Sequence, residues 1–487
     1  MGVNQSARSK HHIKDDEEVN FDHFQILRAI GKGSFGKVCI VQKKDTGQMY
    51  AMKYMSKAVC LERDALRNVL REIEILVQLD HPFLVNLWFS FHDEEDMFLV
   101  QDLLLGGDLR YHLTQNVQFP LEAVRLYVAE IALALDYLQA KRIIHRDIKP
   151  DNILLDEEGH AHLTDFNVAT LVEDNQLASS LSGTKPYMAP EVYACSADEI
   201  PGYDFAIDWW SLGVVAFELS SGRRPYEIHS QTPNKDIRSL FLKFPEWPSI
   251  WPEPFLILVK RLINPNPQNR LKTLDDLKAL PFMCDLDWEA ILEKSVVPEF
   301  TPPKGHLNCD PTFELEEMIV ESKPLHKKKK RLAKQRSLRE FQSPSAEQQE
   351  FTLDPLAEEF TTFNRQKELD RQERERKEQE WEEELLRAME ASGSPSASQT
   401  REFRLSDSEL PSELTTTPVK VEKPYVKATY NAPSTSKTAG LNGSFSKDTK
   451  NRPHTQHSPD TKKSAWSKSR SATMPEGAKV WSKSRKS

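Results

Sequence analysis

The chain has 487 residues, enough for about two to four domains at roughly 100–200 residues each, which excludes a single small module. Hydrophobic residues make up 38% of the chain, against roughly 45–50% in typical globular proteins, so part of it is expected not to fold. The net charge of −9 argues against nucleic acid as a partner of the whole chain.

The cysteines and the hydropathy pattern bear on the compartment. The five cysteines lie far apart without a Cys-x-x-Cys pair, so we expect free thiols in a reducing compartment and no zinc site. No stretch approaches the roughly 20 apolar residues of a membrane span, and no signal peptide is recognised. These observations predict an intracellular, cytoplasmic protein.

Hydrophobic periodicity changes along the chain from a strand period to a helix period. The predicted strands cover residues 24–27, 38–41, 50–55, 84–91 and 97–102, and the predicted helices include residues 67–79, 121–139 and 207–221. The strands come first and the long helices follow Gly106 and Gly107. The pattern predicts an α+β fold with a small β-rich lobe joined to a larger helical lobe.

Composition divides the chain into four segments. We expect a polar start at residues 1–20, a folded core at 24–282, a tail at 283–365 and, at 366–487, a charged helix followed by a basic extension. The last part has too few aliphatic side chains to offset its chain entropy, so we expect it to be disordered.

A glycine-rich loop follows the first strand. It consists of Gly31, Lys32, Gly33, Ser34, Phe35, Gly36, Lys37 and Val38. Glycines let backbone N–H groups approach phosphate oxygens, although such a loop alone could also be an ordinary turn. A strand follows it and not a helix, which argues against a dinucleotide-binding unit. Lys53 on the third strand could reach the same phosphate, with Glu72 on the next helix positioning its ammonium, unless both are solvated surface charges.

Three further motifs decide between these alternatives. They are IHRDIKPDN at residues 144–152, LTDFN at 163–167 and MAPE at 188–191. With these motifs, in this order and spacing, the chain resembles the protein kinases. The resemblance implies a bilobal protein kinase fold that binds ATP and Mg²⁺.

The resemblance assigns a role to each motif residue. Asp147 would accept the proton of the substrate hydroxyl or orient that hydroxyl, and Lys149 would neutralise charge on the transferred group. Asn152 and Asp165 would hold Mg²⁺, because a hard cation prefers oxygen ligands. Lys53, paired with Glu72, would bind the α- and β-phosphates under the glycine-rich loop.

The resemblance also implies an adenosine site. Ile30, Val38, Ala51 and Leu154 would enclose adenine, and the backbone between Asp102 and Leu104 would supply hydrogen bonds. Asp108 would meet the ribose hydroxyls. Gln101 occupies the position that resembles the gatekeeper, where a polar residue is unusual.

The motif Asp-x-Lys-Pro-x-Asn, together with Thr184, is typical of serine/threonine kinases. Asp208 would brace the catalytic loop, and Glu191 would pair with Arg270. The text at residues 20–27, 103–112 and 311–317 is similar to the serine/threonine kinase 32 group of the AGC kinases, and this resemblance covers residues 20 to about 365.

Asn167 stands where most kinases carry glycine after Asp-Phe. Asparagine tolerates positive φ better than other non-glycine residues, so we expect the turn to form, with Asn167 as a tuned hinge. The rival interpretation is a catalytically weak nucleotide-binding scaffold that recruits partners through its tail. The presence of Lys53, Asp147, Asn152 and Asp165 favours the enzyme.

Ser180 precedes Thr184 by four residues, where AGC kinases carry an activating phosphate that Arg146 would receive. The other basic positions of that pocket are Asn68 and Thr170 here. A phosphate would therefore find one strong partner, and we expect phosphorylation of Ser180 not to be obligatory.

Residues of both charges compete to set the substrate preference. The acidic positions that resemble the subsites for basic peptides are Asp108, Asp151 and Glu218, and the competing cations are Arg110, Lys185, Arg223 and Arg224. These cations could favour acidic or phosphorylated peptides or could simply be solvated. The sequence leaves this choice open.

The two ends carry possible targeting and docking signals. Residues 1–6, MGVNQS, fit the pattern for myristoylation of Gly2, which predicts reversible membrane attachment. The lysine-rich residues 327–336 could be a second membrane signal, a nuclear address, a nucleic-acid site or a solvated linker. Phe360 and Phe363 resemble the Phe-x-x-Phe motif that docks on the small lobe, although a helix running on from them would explain the same residues. Residues 364–391 predict a charged helix with one apolar stripe.

Taken together, these patterns predict a serine/threonine protein kinase that acts on proteins. We expect it to be a cytoplasmic monomer that uses Mg²⁺ and ATP. Peripheral attachment to the plasma membrane and entry into the nucleus are both open, and neither substrates nor upstream control can be read from the sequence.

Overall fold

The computed structural model of the chain describes residues 18–32, 36–174, 176–305, 308–309 and 359–391. The strands are β1 (Phe24–Lys32), β2 (Gly36–Lys43), β3 (Met49–Ser56), β4 (Leu87–His92), β5 (Asp96–Gln101), β6 (Ile143–Ile144), β7 (Ile153–Leu155), β8 (Ala161–Leu163), β9 (Thr170–Leu171) and β10 (Phe363–Asn364). The helices are α1 (Lys57–Glu62), α2 (Leu66–Leu76), α3 (Leu109–Thr114), α4 (Leu121–Ala140), α5 (Pro190–Cys195), α6 (Ala206–Ser221), α7 (Asn234–Leu240), α8 (Glu253–Leu262), α9 (Leu274–Lys278), α10 (Trp288–Leu292) and α11 (Arg365–Ala391).

The small lobe is an antiparallel sheet with the strand order β1-β2-β3-β5-β4-β10. Side chains alternate across β3, so Tyr50, Met52 and Tyr54 are buried on one face while Ala51 and Lys53 point to the other. The register therefore sends a lysine and a small residue to the same side of the sheet. The predicted small β-rich lobe is confirmed.

In the small lobe, the structure corrects the start of one predicted strand and adds the short helix α1. The strand predicted at 84–91 begins only at Leu87, because Leu84 instead forms a bridge to Leu163 in the large lobe. The side chain of Asn86 donates to the carbonyl of Leu84, which turns the chain between the two lobes. Helix α1 has six residues, too few to show a helical period in the sequence.

The large lobe is built around α4 and α6, which are apolar on nearly all sides. Gly213 lets α6 approach α8, since a Cβ there would lie 2.6 Å from that of Leu262. All five cysteines lie in the described residues, and Cys60, Cys195 and Cys284 are free thiols. Among the described helices, none combines the length and apolar character that a membrane span requires.

The C-terminal segment docks on the small lobe. Phe363 lies opposite Ser90 in the sheet, and the hydroxyl of Ser90 donates to the carbonyl of Thr361 at 2.6 Å. The ring of Phe360 is buried, with its centroid 4.8 Å from that of His92. Helix α11 begins only after this segment, at Arg365. The structure thus places the Phe-x-x-Phe residues on the edge of the sheet, as the docking interpretation predicts.

Residues 1–17, the tip of the glycine-rich loop, the lysine-rich segment and everything after residue 391 lie outside the described residues. The predictions for Gly2, for residues 327–336 and for a disordered extension stay predictions. Helix α11 is a charged helix, as predicted from its composition, with ion pairs such as Arg376 to Glu373 along its surface.

Candidate active site

A cleft of about 860 Å³ lies between the sheet and the large lobe. The predicted site residues that line it are Ile30, Gly31, Gly36, Val38, Ala51, Lys53, Glu72, Asp102, Leu104, Asp108, Asn152, Leu154 and Asp165. Lys32 and Lys37 lie opposite each other on β1 and β2 and are not part of this lining. Gly33, Ser34 and Phe35 lie outside the described residues.

On the small-lobe side, Lys53 is fixed by a carboxylate from α2. Its Nζ donates to Oε1 of Glu72 at 2.6 Å and lies 3.5 Å from Oδ1 of Asp165. Burial alone would lower the pKa of Lys53, but the two carboxylates outweigh burial and raise it. The pKa of Glu72 is raised by burial, which the charge of Lys53 offsets only in part. A cation fixed in this way points into the cleft and can bind an anionic ligand.

On the large-lobe side, three side chains hold Asp147. Lys149 Nζ lies 2.7 Å from Oδ2 of Asp147, and the hydroxyl of Thr184 donates to its Oδ1 at 2.6 Å. Asn152 Nδ2 donates to the carbonyl oxygen of Asp147 at 2.9 Å and to its Oδ2 at 3.2 Å. Asp147 and Lys149 therefore lie directly beside the cleft, in contact with Asn152.

The protonation state of Asp147 suits it as a proton acceptor. Burial raises the pKa of its carboxyl, but the charge of Lys149 and the bonds from Lys149 and Thr184 outweigh burial and lower the pKa below its ordinary value of 3.8. The carboxylate stays ionised near neutral pH. A weakly basic but well-oriented carboxylate can accept a proton as it is released from a hydroxyl.

Asp208 holds the backbone of the same loop, as the sequence predicts. Its two carboxylate oxygens accept hydrogen bonds from the backbone N–H groups of His145 and Arg146, each at 2.8 Å. Burial raises the pKa of Asp208 to about 6, although these two bonds act in the opposite direction. Arg146 has a φ of +68°, so the loop contains a strained residue that Asp208 stabilises.

Asn152 and Asp165, the predicted metal ligands, both line the cleft. Because the amide nitrogen of Asn152 is used by Asp147, its Oδ1 is left to face a ligand. No group of three or more His, Cys, Asp or Glu side chains suited to a metal occurs in the described part of the chain. Two protein oxygens fit Mg²⁺, which usually binds one or two carboxylates together with substrate phosphates and water.

The expectation for Asn167 requires a correction. The positive φ of the turn lies at Asp165, with φ = +67°, and Asn167 does not adopt one. Its side chain instead donates from Nδ2 to Oδ2 of Asp165 at 3.2 Å. Asn167 thus contacts a predicted metal ligand directly, which a glycine cannot do.

The segment that joins the lobes uses its acidic side chains for structure. Asp102 accepts from the indole Nε1 of Trp88 at 2.6 Å and from the backbone N–H of Asn86 at 2.9 Å. Asp108 caps α3 by accepting from the backbone N–H of Tyr111 at 2.6 Å, and it also lines the cleft. Sequence reasoning missed Trp88 and Asn86, since nothing in their surroundings indicates a partner on the next strand.

Comparison with known proteins places this geometry in a family. A family model described as "Protein kinase domain" matches residues 24–283, more than half of the chain. The chain belongs to the protein kinase family. The predicted fold class is confirmed by this match.

Three relatives show where in the family this kinase lies. It is similar to human serine/threonine-protein kinase 32B, with 58% identity over 370 residues, covering 75% of this chain and 89% of that protein. Human serine/threonine-protein kinase 32C is 56% identical over 373 residues, which cover 75% of this chain and 77% of that protein. Human ribosomal protein S6 kinase alpha-2 is 38% identical over 326 residues, covering 64% and 43%. The predicted relationship to the kinase 32 group is confirmed.

The loop of this kinase that carries Ser180 is held without a phosphate. Arg146 Nη1 donates to the hydroxyl of Ser180, and its Nε donates to the carbonyl of Val168 at 2.6 Å. The phenol of Tyr203 donates to the carbonyl of Ser180. The arginine that would receive a phosphate thus contacts the Ser180 hydroxyl, and the expectation that phosphorylation is not obligatory stays a prediction.

Further along, Glu191 and Arg270 form the predicted buried ion pair, with Arg270 Nη2 at 2.8 Å from Oε2 of Glu191. The competing charges of the substrate region also meet: Arg110 lies between Asp151 and Glu218. The sequence named all three residues but gave no sign that they pair, because they are 41 and 108 positions apart.

Proposed function

We propose that this kinase transfers the γ-phosphoryl group of magnesium-bound ATP to serine and threonine hydroxyls of proteins by direct attack of the hydroxyl on phosphorus. Serine/threonine kinase activity itself was predicted from the catalytic motifs, and it is confirmed by the family match and by relatives of that name at 56% and 58% identity. The nucleotide, the metal and the course of the reaction form the proposal.

The observation that carries the proposal is the fixed carboxylate of Asp147. It is ionised, it is oriented by Lys149, Thr184 and Asn152, and it lies next to the cleft that contains Lys53. Phosphoryl transfer is one of the few reactions that require a proton acceptor and two anion-binding lysines placed together in this way.

Each step can be assigned to residues of the chain. The substrate hydroxyl oxygen forms a bond to the γ-phosphorus, its proton passes to Asp147, and the bond to the β–γ bridging oxygen breaks to release ADP. Lys149 lies 2.7 Å from Asp147 and would neutralise charge on the transferred group, while Lys53 would hold the α- and β-phosphates. Mg²⁺, held by Asn152 and Asp165, would supply further neutralisation of phosphate charge when bound.

The adenosine part of the nucleotide would lie deeper in the cleft. Ile30, Val38, Ala51 and Leu154 line it from both lobes and offer an apolar slot for a flat ring. Within the described residues, the backbone N–H and C=O of Leu104 make no hydrogen bond, so they are free to pair with adenine. Asp108 lies at the edge, where the ribose would emerge.

The test is phosphate transfer from radiolabelled Mg²⁺-ATP to a mixed peptide library, comparing wild type with Asp147→Asn. We expect transfer by wild type and a loss of about 10³-fold or more in the variant, since a positioned base contributes roughly 10²–10⁴-fold. If both proteins bind ATP but neither transfers phosphate, the scaffold interpretation, favoured by the amide of Asn167 on Asp165, is the better one.

We also propose that the kinase is reversibly membrane-associated through a myristoyl group on Gly2. The support is the sequence at residues 1–6 and the basic residues that follow it. One acyl chain binds membranes only weakly, so attachment should be lost at high salt if basic residues supply the second signal. Labelling with an alkyne-bearing myristate analogue should mark wild type and fail in Gly2→Ala, and labelling of both would contradict the proposal.

A further inference from the structure

Arg110, on α3, forms ion pairs with carboxylates from two other elements. Its Nε lies 3.2 Å from Oδ2 of Asp151, and its Nη1 and Nη2 lie 3.0 Å and 3.3 Å from the two oxygens of Glu218. Nη2 also donates to the phenol of Tyr187. All three nitrogens of the guanidinium therefore have partners within the chain.

Glu218 explains why this arrangement is stable. Its side chain is only 8% exposed, near the end of α6, and it also accepts from the phenol of Tyr187 at 2.6 Å. A carboxylate at this depth requires a cation, and the planar guanidinium provides paired hydrogen bonds that a lysine cannot match. Arg110 thus fills an anionic pocket that would otherwise bind a cation from outside.

The pocket lies where a protein substrate has to pass. Asp151 directly precedes Asn152 in the turn that follows Asp147, and Arg110 and Asp151 line the same cleft as Lys53. A peptide that presents its hydroxyl to Asp147 therefore crosses this cluster with the residues next to that hydroxyl. An arginine in such a peptide would find both acidic partners already taken.

We propose that Arg110 is a specificity-determining residue that occupies the acidic peptide subsite from within, so that this kinase selects substrates with no requirement for arginine before the phosphorylated residue. The inference rests on the proposed function and names its substrate class. Arg110 is tethered to the site, so a substrate arginine has to compete with a group whose effective concentration is on the order of millimolar or higher. A substrate arginine that displaced Arg110 would form equivalent contacts, so the free energy of binding would not improve.

The test compares peptides of one sequence, with a single serine and with arginine or alanine placed in turn at each preceding position. For wild type we expect kcat/KM ratios of arginine to alanine peptides within about threefold of one. For Arg110→Ala we expect the ratio to rise about tenfold or more at one or more positions, because the buried carboxylate of Glu218 and the exposed carboxylate of Asp151 become available to the substrate. In the double variant Arg110→Ala, Glu218→Gln the kcat/KM ratio should return toward the wild-type value, because the buried carboxylate is removed.

Arg125→Ala is the matched control. It removes the same charge, and Arg125 also pairs with two carboxylates, Glu122 and Asp285, but it does not line the cleft. It should keep the wild-type ratio. If Arg110→Ala yields too little folded protein, Arg110→Gln keeps the length and removes the charge, and the same rise is expected.

Two results would overturn the inference: a wild-type preference for arginine of tenfold or more, or an unchanged ratio in both Arg110 variants. Binding of the same peptides, labelled and followed by fluorescence anisotropy, gives the arginine-to-alanine ratio without phosphate transfer. A chain that fails to transfer phosphate would thus count against the proposed function, while the binding ratio still decides the role of Arg110.

Discussion

The two sides of the cleft are held in place by different means. On the large-lobe side, Asp147 has hydrogen bonds from three side chains of its own lobe, and Asp208 holds the backbone of its loop. On the small-lobe side, Lys53 has one carboxylate from its own lobe, Glu72 on α2, and a longer contact of 3.5 Å to Asp165 of the large lobe. The Asp147 side of the cleft is therefore fixed by several bonds within one lobe, whereas the position of Lys53 changes if α2 moves.

The docked C-terminal segment contacts the small-lobe side of the cleft close to the end of α2. Arg365 Nη1 donates to the carbonyl of Leu79, just after α2, at 3.1 Å, and its guanidinium also pairs with Asp80. Together with β10 on the sheet edge, this contact joins the tail to the end of the helix that carries Glu72. The difference between the two sides predicts which substitutions disable the kinase and which it tolerates.

The largest effect is expected at the single ion pair of the small lobe. Lys53→Met removes the cation that would hold the phosphates, and kcat/KM for peptide phosphorylation should fall by roughly 10²–10³-fold, as for other preorganised charge partners. Steady-state kinetics with varied ATP measure this. Lys43→Met is the control, because Lys43 is also a strand lysine paired with an acid, Asp45, but lies away from the cleft. Equal losses in both variants would contradict the assignment.

A smaller effect is expected when the tail is released. Phe360 is 7% exposed, and Phe360→Ala should cost about 3 kcal/mol of stability by leaving a cavity, with kcat/KM lowered about tenfold through α2. Denaturant unfolding and peptide kinetics measure the two losses. Trp381→Ala removes an aromatic ring that is 62% exposed on α11 and should change neither. A stability loss without any loss of activity would show that docking does not support α2.

The pH dependence of activity tests the contacts of Asp208 on the large-lobe side of the cleft. Since the pKa of Asp208 is about 6, activity should fall to half of its plateau near pH 6 as this carboxyl takes up a proton and holds the loop less firmly. The effect on stability has the opposite sign. The folded chain binds the proton of Asp208 more tightly than the unfolded chain, in which the pKa of this carboxyl is near 3.8. The contribution of Asp208 to the free energy of unfolding is therefore lost as pH rises from about 4 to 6. The measurement is the pH profile of kcat/KM. Asp208→Asn should be slower but lack this acid limb, and an unchanged limb would rule out Asp208 as its cause.

The smallest effect is expected at Ser180. Its hydroxyl accepts a charge-assisted hydrogen bond from Arg146 at an exposed position, where water can replace it, so Ser180→Ala should keep activity within about twofold. Thr184→Ala on the same loop removes a bond to Asp147 and should lower kcat more than tenfold. Kinetics on unphosphorylated protein, checked by mass spectrometry, compare the two. Inactive Ser180→Ala would show that phosphorylation is required after all.

Most of the site could be predicted from the sequence, because its motifs are short and locally complete. Asp147, Lys149 and Asn152 lie within six residues, and the chain order alone places them on one loop. The pairing of Lys53 with Glu72 was predicted from one strand and one inward helix face, and the structure brings them to 2.6 Å. Strand and helix types were also readable, since buried faces repeat with periods of two and of 3.6 residues.

Other features depended on contacts between distant positions. The positive φ at Asp165, and not at Asn167, follows from how the turn packs in the folded chain. The early start predicted for β4 was wrong because Leu84 pairs with Leu163, a partner that no local pattern indicates. The docking of Thr361 on Ser90 joins residues 271 positions apart.

The sequence by itself determined the family, the candidate site residues and the two-lobe order of elements, because these depend on residue type and short spacing. The tertiary structure alone decided how the charges around Arg110 pair. Arg110, Asp151 and Glu218 could be read equally well as competing surface charges until the fold placed nitrogens of Arg110 about 3 Å from each of the two carboxylates. Electrostatic partnership depends on distance and burial, and both arise only when distant parts of the chain pack together.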